Sequence, residues 1–516
     1  MPNFLAIAAA IGLIMLVRDG VEVGRNDGAN LVNAVFGARV LRRRTAVFIA
    51  GAAVILGATF SAPVMETARK GIFDPTVLTL QKAMAVYVSV YFVDTVLLYG
   101  FSGFGLPVST TACLVFELVG AALFLSGPKN VNWDKVTTVI ISIVVSIIVS
   151  GLASFMVMRV FRGAVRDKST DRETVMLHGP WITGAMFTWL TWFMVFKGLK
   201  NIDLIKTVRA ETFEAYGLWL ALLVLWALFT FITHIALVIS YRHGYKYLFA
   251  LTAVAGMVCM AFAFGQNDLA NAASPGLAGI TLWQHGGAPT DLADIASKVP
   301  IPKWALFACG ALLASGMLTR YAQRVTRAEV NTGSQFDRVA LYAPRWCIGL
   351  ARILLGILPA RKSLAPTQRM TETGKKVHYD ALRASVITGV SASVIAFASG
   401  RGLPVSTTYV AFAAVLGTGM SDRVFARGDA DLKIGRAIWV ITCWFLAPAL
   451  AIIGTGLVAQ LVYQLATVGL VLCIFLNIAA RFGLKKLADA HERKYHGTHA
   501  PESTSVTDKT TKSADC

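Results

Sequence analysis

The sequence has few charged residues for its length. Asp, Glu, Lys and Arg make up 15% of its 516 residues, whereas hydrophobic residues make up 56%. A soluble globular domain carries about 25% charged residues. The composition therefore excludes an ordinary soluble protein. It predicts an all-α polytopic membrane protein with about 12 transmembrane helices plus re-entrant or broken helices.

The sequence also lacks the usual signatures of metal sites and hydrolytic enzymes. Its seven cysteines show no C-x-x-C spacing, and neither H-E-x-x-H nor G-x-S-x-G occurs. The eight histidines do not cluster in the apolar segments. We therefore expect no disulfide framework, no zinc site, no cofactor and no enzymatic activity.

Basic residues outnumber acidic ones, giving a formal net charge of +19. They occur in short clusters between the apolar segments, which is typical of cytoplasmic loops in membrane proteins. We therefore expect the chain to contact a lipid bilayer rather than nucleic acid, as a multi-pass protein of the plasma (inner) membrane.

Two phrases occur twice along the chain. SGFGLPVSTT spans Ser102–Thr111, and SGRGLPVSTT spans Ser399–Thr408. GRNDGAN begins at Gly24, and GQNDLAN begins at Gly265. Each half of the chain therefore contains an N-D phrase followed by an STT phrase, and chance does not explain such agreement.

The spacing of the copies predicts two inverted-topology repeats. Seven apolar segments separate the two N-D phrases, and seven separate the two STT phrases, so an odd number of crossings inverts the second half. In such proteins the broken helices of both halves meet near the middle of the bilayer. We therefore expect the four phrases to form a single site.

These repeats divide the chain into five predicted parts. The insert of the second repeat contains RWCIGLARILLGILPARK, whose arginines flank a short apolar core and predict a helix on the membrane surface. The parts are a first inverted repeat (1–175), connecting transmembrane helices (176–245), a second inverted repeat (246–420) with a cytoplasmic basic insert (321–380), C-terminal transmembrane helices (421–485) and a disordered cytoplasmic tail (486–516).

The N-D phrases are suited to bind a cation, and the STT phrases are suited to bind an anion. Asp27 and Asp268 end apolar segments, where a carboxylate costs about 2.5–3.5 kcal/mol at the helix centre unless a cation or proton accompanies it. Pro107 and Pro404 suit the start of a helix, so the hydroxyls and N–H groups that follow would face an anion. The pattern predicts coupled binding of a cation and an anion.

The paired phrases resemble the inorganic phosphate transporter (PiT) family, which moves phosphate with sodium or protons. The resemblance covers about residues 1–480, and ETARKGI at Glu66–Ile72 is also similar to a family phrase. It implies symport of phosphate with Na⁺ or H⁺ by alternating access, in a homodimer. The substrate-binding residues would be Asn26, Ser109, Thr110, Thr111, Asn267, Ser406, Thr407 and Thr408. The coupling-ion residues would be Asp27, Asp268, Asn30 and Asn271, with Asp27 and Asp268 as metal ligands if the ion is Na⁺.

The chain departs from the family pattern at two places. Family members commonly have His after S-T-T, whereas this chain has Ala112 and Tyr409. The other departure is Arg25, between Gly and Asn of the first N-D phrase. Its guanidinium could contact the oxyanion or pair with Asp27, or remain a charge at the cytoplasmic side.

Several alternatives stay open. A sulfate permease of the same fold would use the same residue types, because the two anions share size and shape. An anion channel would use hydroxyls and helix termini without needing paired aspartates. The further acids Glu66, Asp94 and Glu117 could belong to an ion path, or Glu66 could lie only at the membrane interface.

Overall fold

The computed structural model describes residues 2–61, 72, 78–200, 202–240, 243–284, 302–357, 369–371 and 374–496. The family-like phrase at Glu66–Ile72 lies outside these residues, except for Ile72. Within the described residues the fold is helical. A short antiparallel pair of strands, β1 (Arg369–Met370) and β2 (Lys376–Val377), is added to the helices.

The first half of the chain provides the helices that carry the first copies of the two phrases. A 3-10 turn at Asp27–Leu31 follows the first helix, and a π-helical turn at Thr191–Gly198 extends the seventh. The helices are α1 (Pro2–Asn26), α2 (Asn33–Gly37), α3 (Arg43–Ala58), α4 (Leu80–Gly103), α5 (Thr110–Ser126), α6 (Trp133–Val165), α7 (Arg172–Leu190), α8 (Asp203–Arg209) and α9 (Leu218–Ile239).

The second half presents the N-D and STT phrases in the same order. The N-D phrase lies inside a continuous helix here, whereas in the first half the helix ends at the phrase. The helices are α10 (Gly244–Gln284), α11 (Lys303–Gly316), α12 (Arg320–Thr332), α13 (Arg345–Ile357), α14 (Ala381–Ser399), α15 (Thr407–Ser421) and α16 (Ala430–His496).

Many of these helices are suited to a membrane. The described residues include seven helices long and apolar enough to cross one, or eight if α11 and α12, which meet at a 66° bend, form a single span. This confirms the predicted class of helical, multi-pass membrane protein. The number twelve stays a prediction.

Helix α16 contains two helices folded against each other. At about 1.5 Å per residue, a straight helix of this length would be about three times as long as the bilayer core is thick. Its backbone leaves the helical region at Ala466 (φ 46°, ψ −121°). Gly454 lies against Val93, and beyond the break Asn477 donates to the carbonyl of Phe92. The two parts therefore run side by side along α4.

Glycines of the two N-D phrases let the halves approach each other closely. A Cβ on Gly24 of α1 would lie 1.8 Å from the carbonyl oxygen of Leu313 in α11. A Cβ on Gly265 of α10 would lie 2.1 Å from that of Val54 in α3. Each phrase therefore packs backbone to backbone against a helix of the opposite half.

A second pair of glycines makes equivalent close contacts between the two halves. A Cβ on Gly57 of α3 would lie 2.0 Å from the carbonyl oxygen of Phe262, and one on Gly316 of α11 would lie 2.2 Å from that of Val21. The pairs α1–α11 and α10–α3 thus use equivalent positions. This pairing is consistent with the predicted repeats, and the opposite membrane orientation of the halves stays a prediction.

Two predicted segments differ from the structure. The tail predicted to be disordered from residue 486 continues α16 to His496, and Arg324 and Arg327 of α12 bind its acids Asp489 and Glu492. The insert predicted from residue 321 begins with α12, whose apolar face is buried. The predicted surface helix is α13, and its large apolar side chains are exposed.

Replacing Gly24 or Gly265 by Ala should destabilise the protein strongly, because each new Cβ would overlap a backbone oxygen. Overpacking costs about 1–3 kcal/mol even where side chains can yield. Thermal unfolding in detergent measures the effect. Gly163→Ala is the matched control, since its Cβ would meet nothing within 4 Å. Equal unfolding temperatures for all three variants would contradict the close packing.

Candidate functional site

The four phrases converge on one buried cluster. The first N-D phrase lies where α1 ends, the second lies inside α10, and the STT phrases begin α5 and α15. The side chains that meet here are almost wholly shielded from solvent. They are Asn26, Asp27, Asn30, Ser109, Thr110, Thr111, Asn267, Asp268, Asn271, Ser406, Thr407 and Thr408.

Each N-D asparagine fixes the bend before the STT phrase of its own half. Asn26 donates to Ser102 Oγ (2.9 Å) and the Leu106 carbonyl (3.2 Å), and it accepts from the backbone N–H of Val108 (3.0 Å).

Asn267 makes the corresponding contacts in the second half. It accepts from the Val405 N–H (3.3 Å) and from Ser399 Oγ (3.4 Å), and it donates to the Val405 carbonyl (2.7 Å). Ser399 and the Val405 N–H correspond to Ser102 and the Val108 N–H, so these two contacts are equivalent in the two bends, whereas the carbonyl that accepts from the asparagine differs (Leu106 in the first, Val405 in the second).

The bend explains why the phrase contains glycine and proline. Gly105 and Gly402 have φ of 66° and 68°, a backbone region that favours glycine. Pro107 and Pro404, expected at the helix start, instead lie in the extended segment before it.

The helices begin only after a serine cap. Ser109 accepts from the N–H of Ala112 (3.0 Å), and Ser406 accepts from that of Tyr409 (3.1 Å). These serines are therefore N-caps that orient the threonines beside them.

The threonine hydroxyls bind the aspartates. Asp27 accepts from Thr110 Oγ1 (2.6 Å), from the Thr110 N–H (3.4 Å) and from Thr408 Oγ1. Asp268 accepts from Asn271 Nδ2 (2.9 Å) and, at 3.3 Å, from Thr110 Oγ1. Because one hydroxyl has one hydrogen, Thr110 serves one aspartate at a time.

Two contacts cross between the halves in a matched way. Asn271 of the second half donates to Thr111 Oγ1 of the first (2.8 Å), and Asn30 of the first half lies 2.5 Å from Thr408 Oγ1 of the second. Residues that stand 160 and 378 positions apart in the sequence therefore share one hydrogen-bonded network.

A third buried acid, Glu329 of α12, belongs to this cluster. It accepts from Asn33 Nδ2 (2.7 Å). In the alternative orientation of its amide, Asn30 donates to Glu329 Oε1 (2.6 Å), and its oxygen then competes with Asp27 for the single hydrogen of Thr408 Oγ1. The sequence prediction missed Glu329 by assigning it to a cytoplasmic insert. The signal that could have found it was the apolar face that this short basic helix presents at helical spacing.

The buried Arg436 interacts electrostatically with Glu329 at longer range, but the three acids of the cluster lack a direct ion pair in the described part of the chain. Among the residues that the structure describes, no Lys or Arg forms an ion pair with Asp27, Asp268 or Glu329. Carboxylates buried in a membrane protein need a cation or a proton. The arrangement can therefore take up positive charge, and the hydroxyls beside it are suited to an oxyanion.

Arg25 lies apart from this network. Its Nη1 donates to Glu22 (2.6 Å) and its Nε to Thr319 (3.2 Å), rather than to Asp27. Glu22 also binds Arg481 (2.6 Å). The expected pairing of Arg25 with Asp27 is therefore not found, and contact of Arg25 with substrate stays a prediction.

The family comparison agrees with the phrases and the fold. A family model described as "Phosphate transporter family" matches residues 23–331 and 348–459. The chain belongs to the phosphate transporter family.

Similar proteins span most of the chain. A "Putative phosphate permease" of Pyrococcus furiosus is 27% identical over 86% of this chain and 92% of its own. One of Haemophilus influenzae is 25% identical over 85% of this chain and 92% of its own. A solved structure described as "The sodium-dependent phosphate transporter" has a TM-score of 0.64 and 22% identity, covering 90% of this chain and 99% of that one. At this identity the likeness concerns the fold.

The structure also accounts for one departure from the phosphate transporter pattern. Tyr409, where the family commonly has His, stacks on Trp444 with ring centroids 4.0 Å apart and donates to its carbonyl (3.3 Å). Trp444 in turn donates to the Pro107 carbonyl (3.3 Å). Tyr409 therefore supports the bend of the other half.

Asn26→Ala and Asn267→Ala should destabilise the protein to a similar extent. Each removes the partners of buried backbone groups in a bend, at about 1–3 kcal/mol. Thermal unfolding measures the effect, with the exposed Gln323→Ala, expected within about 0.5 kcal/mol, as control. An effect in only one half would contradict the equivalence of the two bends.

Proposed function

We propose that this protein is a secondary-active phosphate importer of the plasma membrane that couples phosphate entry to Na⁺ or H⁺ by alternating access. Membership of the phosphate transporter family supports phosphate as the substrate. The similar solved structure is described as a sodium-dependent transporter, and this favours Na⁺ as the coupling ion. A homodimer is part of the same proposal.

One observation carries the mechanism: the same hydroxyls that suit an oxyanion are bound to aspartates. Thr110 and Thr408 donate to Asp27, and Thr110 also reaches Asp268. An anion placed on these hydroxyls would meet carboxylates at hydrogen-bonding distance, where like charges repel strongly. Phosphate can therefore bind well only after positive charge has neutralised the aspartates.

This requirement sets an order of events. A cation bound between Asp27 and Asp268 satisfies both carboxylates and frees the threonine hydroxyls to rotate toward substrate. The hydroxyls and the backbone N–H groups at the starts of α5 and α15 then bind phosphate oxygens. Because the four phrases come from both halves, movement of one half against the other would open the site to either side.

Purified protein in liposomes should accumulate radiolabelled phosphate when a Na⁺ gradient is directed inward. A pH gradient imposed alone tests H⁺ coupling, and excess sulfate tests the alternative substrate. We expect accumulation with the Na⁺ gradient and weak competition by sulfate. Sulfate uptake without phosphate accumulation under either gradient would establish the sulfate permease instead. Flux that does not depend on any gradient would indicate a channel.

Asp27→Asn and Asp268→Asn should each abolish accumulation while the protein still inserts into the membrane. Loss of a charged contact worth about 1.5–3 kcal/mol lowers cation affinity by about tenfold to a hundredfold. Phosphate uptake as a function of Na⁺ concentration measures this change. Asp134→Asn, at the exposed start of α6, is the matched control and should transport normally. Wild-type uptake by either aspartate variant would remove the proposed cation site.

A further inference from the structure

Three further carboxyl groups are buried in the helices of the first half. Asp19 of α1 is 1% exposed, Asp94 of α4 is 3% exposed and Glu117 of α5 is fully buried. None belongs to the N-D or STT phrases. Both carboxyl oxygens of Asp19, both of Glu117 and one of Asp94 are buried without any hydrogen-bond donor.

Asp19 and Asp94 face each other across the contact between α1 and α4. Their carboxyl groups lie within hydrogen-bonding reach. Two carboxylates at that distance repel, whereas a carboxyl group that keeps its proton can donate to the other. Glu117 lies close enough to interact electrostatically with both.

The surrounding groups do not supply the missing proton donor or positive charge. Tyr91 is the neighbouring hydroxyl, but it bridges the Ala272 carbonyl and the Gly276 N–H, both at 2.7 Å. The titratable and charged groups facing the three acids are Tyr91 and Cys113, the acids Glu22 and Asp27, and the cation Arg481.

The charge of Arg481 is already shared. Its Nη2 donates to Glu22 (2.6 Å) and its Nη1 to the Thr95 carbonyl (3.0 Å). Glu22 also binds Arg25 (2.6 Å). The net charge around Asp19 and Asp94 is therefore negative if both are ionised.

The two facing carboxyl groups are suited to hold a proton. A proton needs only the two facing oxygens, and it turns an acceptor that lacks a donor into a hydrogen-bonded pair.

We propose that Asp19 and Asp94 form a proton-binding carboxyl pair, separate from the phosphate and cation site, and that phosphate uptake requires the pair to hold a proton. The proposal rests on the proposed transport function. Helix α1 leads directly into Asn26 and Asp27, and α4 leads into the first SGFGLPVSTT phrase. Loss of the proton makes both carboxylates negative, pushes α1 from α4 and disturbs two of the four phrases together.

The sign of the pH dependence follows from this. Protonation is complete at acidic pH, and above the midpoint of titration the protonated fraction falls about tenfold per pH unit. Uptake at a fixed inward Na⁺ gradient should therefore fall on the alkaline side. Asp94→Asn keeps a neutral side chain that can hydrogen-bond to Asp19, so this variant should retain uptake at alkaline pH.

The test compares Na⁺-driven phosphate uptake across a pH series by wild type, Asp94→Asn and the control Asp134→Asn in liposomes. Changes in the protonation of phosphate affect uptake by all three proteins equally. The ratio of wild-type uptake to Asp94→Asn uptake therefore reports only the titration of the carboxyl pair. We expect wild type and Asp134→Asn to lose uptake relative to Asp94→Asn by up to about tenfold per pH unit on the alkaline side. Parallel profiles for all three would overturn the proposal.

Infrared spectroscopy of the purified protein gives a readout that does not depend on transport. A band from a protonated carboxyl group should be present at neutral pH, disappear on alkaline titration and be weaker in Asp94→Asn and Asp19→Asn. If wild type fails to accumulate phosphate while this band titrates as expected, the proposed function fails and the proton site stands. If uptake is normal and no such band titrates, the proton site fails.

Discussion

Uncompensated negative charge in the membrane interior is the constraint on which the structure of this protein depends. Asp27, Asp268 and Glu329 are buried, and the groups that touch them are threonine hydroxyls, asparagine amides and backbone N–H groups. These donors stabilise carboxylates without cancelling their charge. A site of this kind needs a mobile cation or a proton to balance its charge, and this need is the physical basis of the proposed coupling.

The rest of the helical packing keeps these donors in place. Asn26 and Asn267 hold the bends that aim α5 and α15 at the aspartates. Gly24 and Gly265 bring the N-D phrases against α11 and α3 at backbone contact. Since each of these helices belongs to the opposite half, a shift of one half changes the geometry at both aspartates. In the proposed alternating access, this close packing would transmit movement that flexible side-chain contacts would absorb.

Much of the site could be predicted because its residues occur in repeated phrases. The repeats identified the N-D and STT residues. Their convergence could be predicted because the broken helices of inverted-repeat transporters meet near the middle of the bilayer. Glu329 could not be found in this way, because it occurs once and lies in a basic segment that resembles a loop. The partner of Arg25 could not be identified from the sequence either: Glu22 is one helical turn away, and it also binds Arg481 of α16, which no local pattern shows. The extension of α16 to His496 depends on ion pairs with α12 that no local sequence pattern shows.

The replacement of the family histidine changes which groups near the site can bind a proton. A His after each S-T-T would place a group that titrates near neutral pH beside the hydroxyls. Here Ala112 is small and buried, and Tyr409 stacks on Trp444, so neither position offers a group that exchanges a proton near neutral pH. Meanwhile Asp19, about two helical turns before Asn26 on α1, and Asp94 of α4 have buried carboxyl oxygens without donors. Under the proposal above, a proton on the Asp19–Asp94 pair acts on the site through the packing of α1 and α4, in addition to any proton taken up at Asp27 or Asp268.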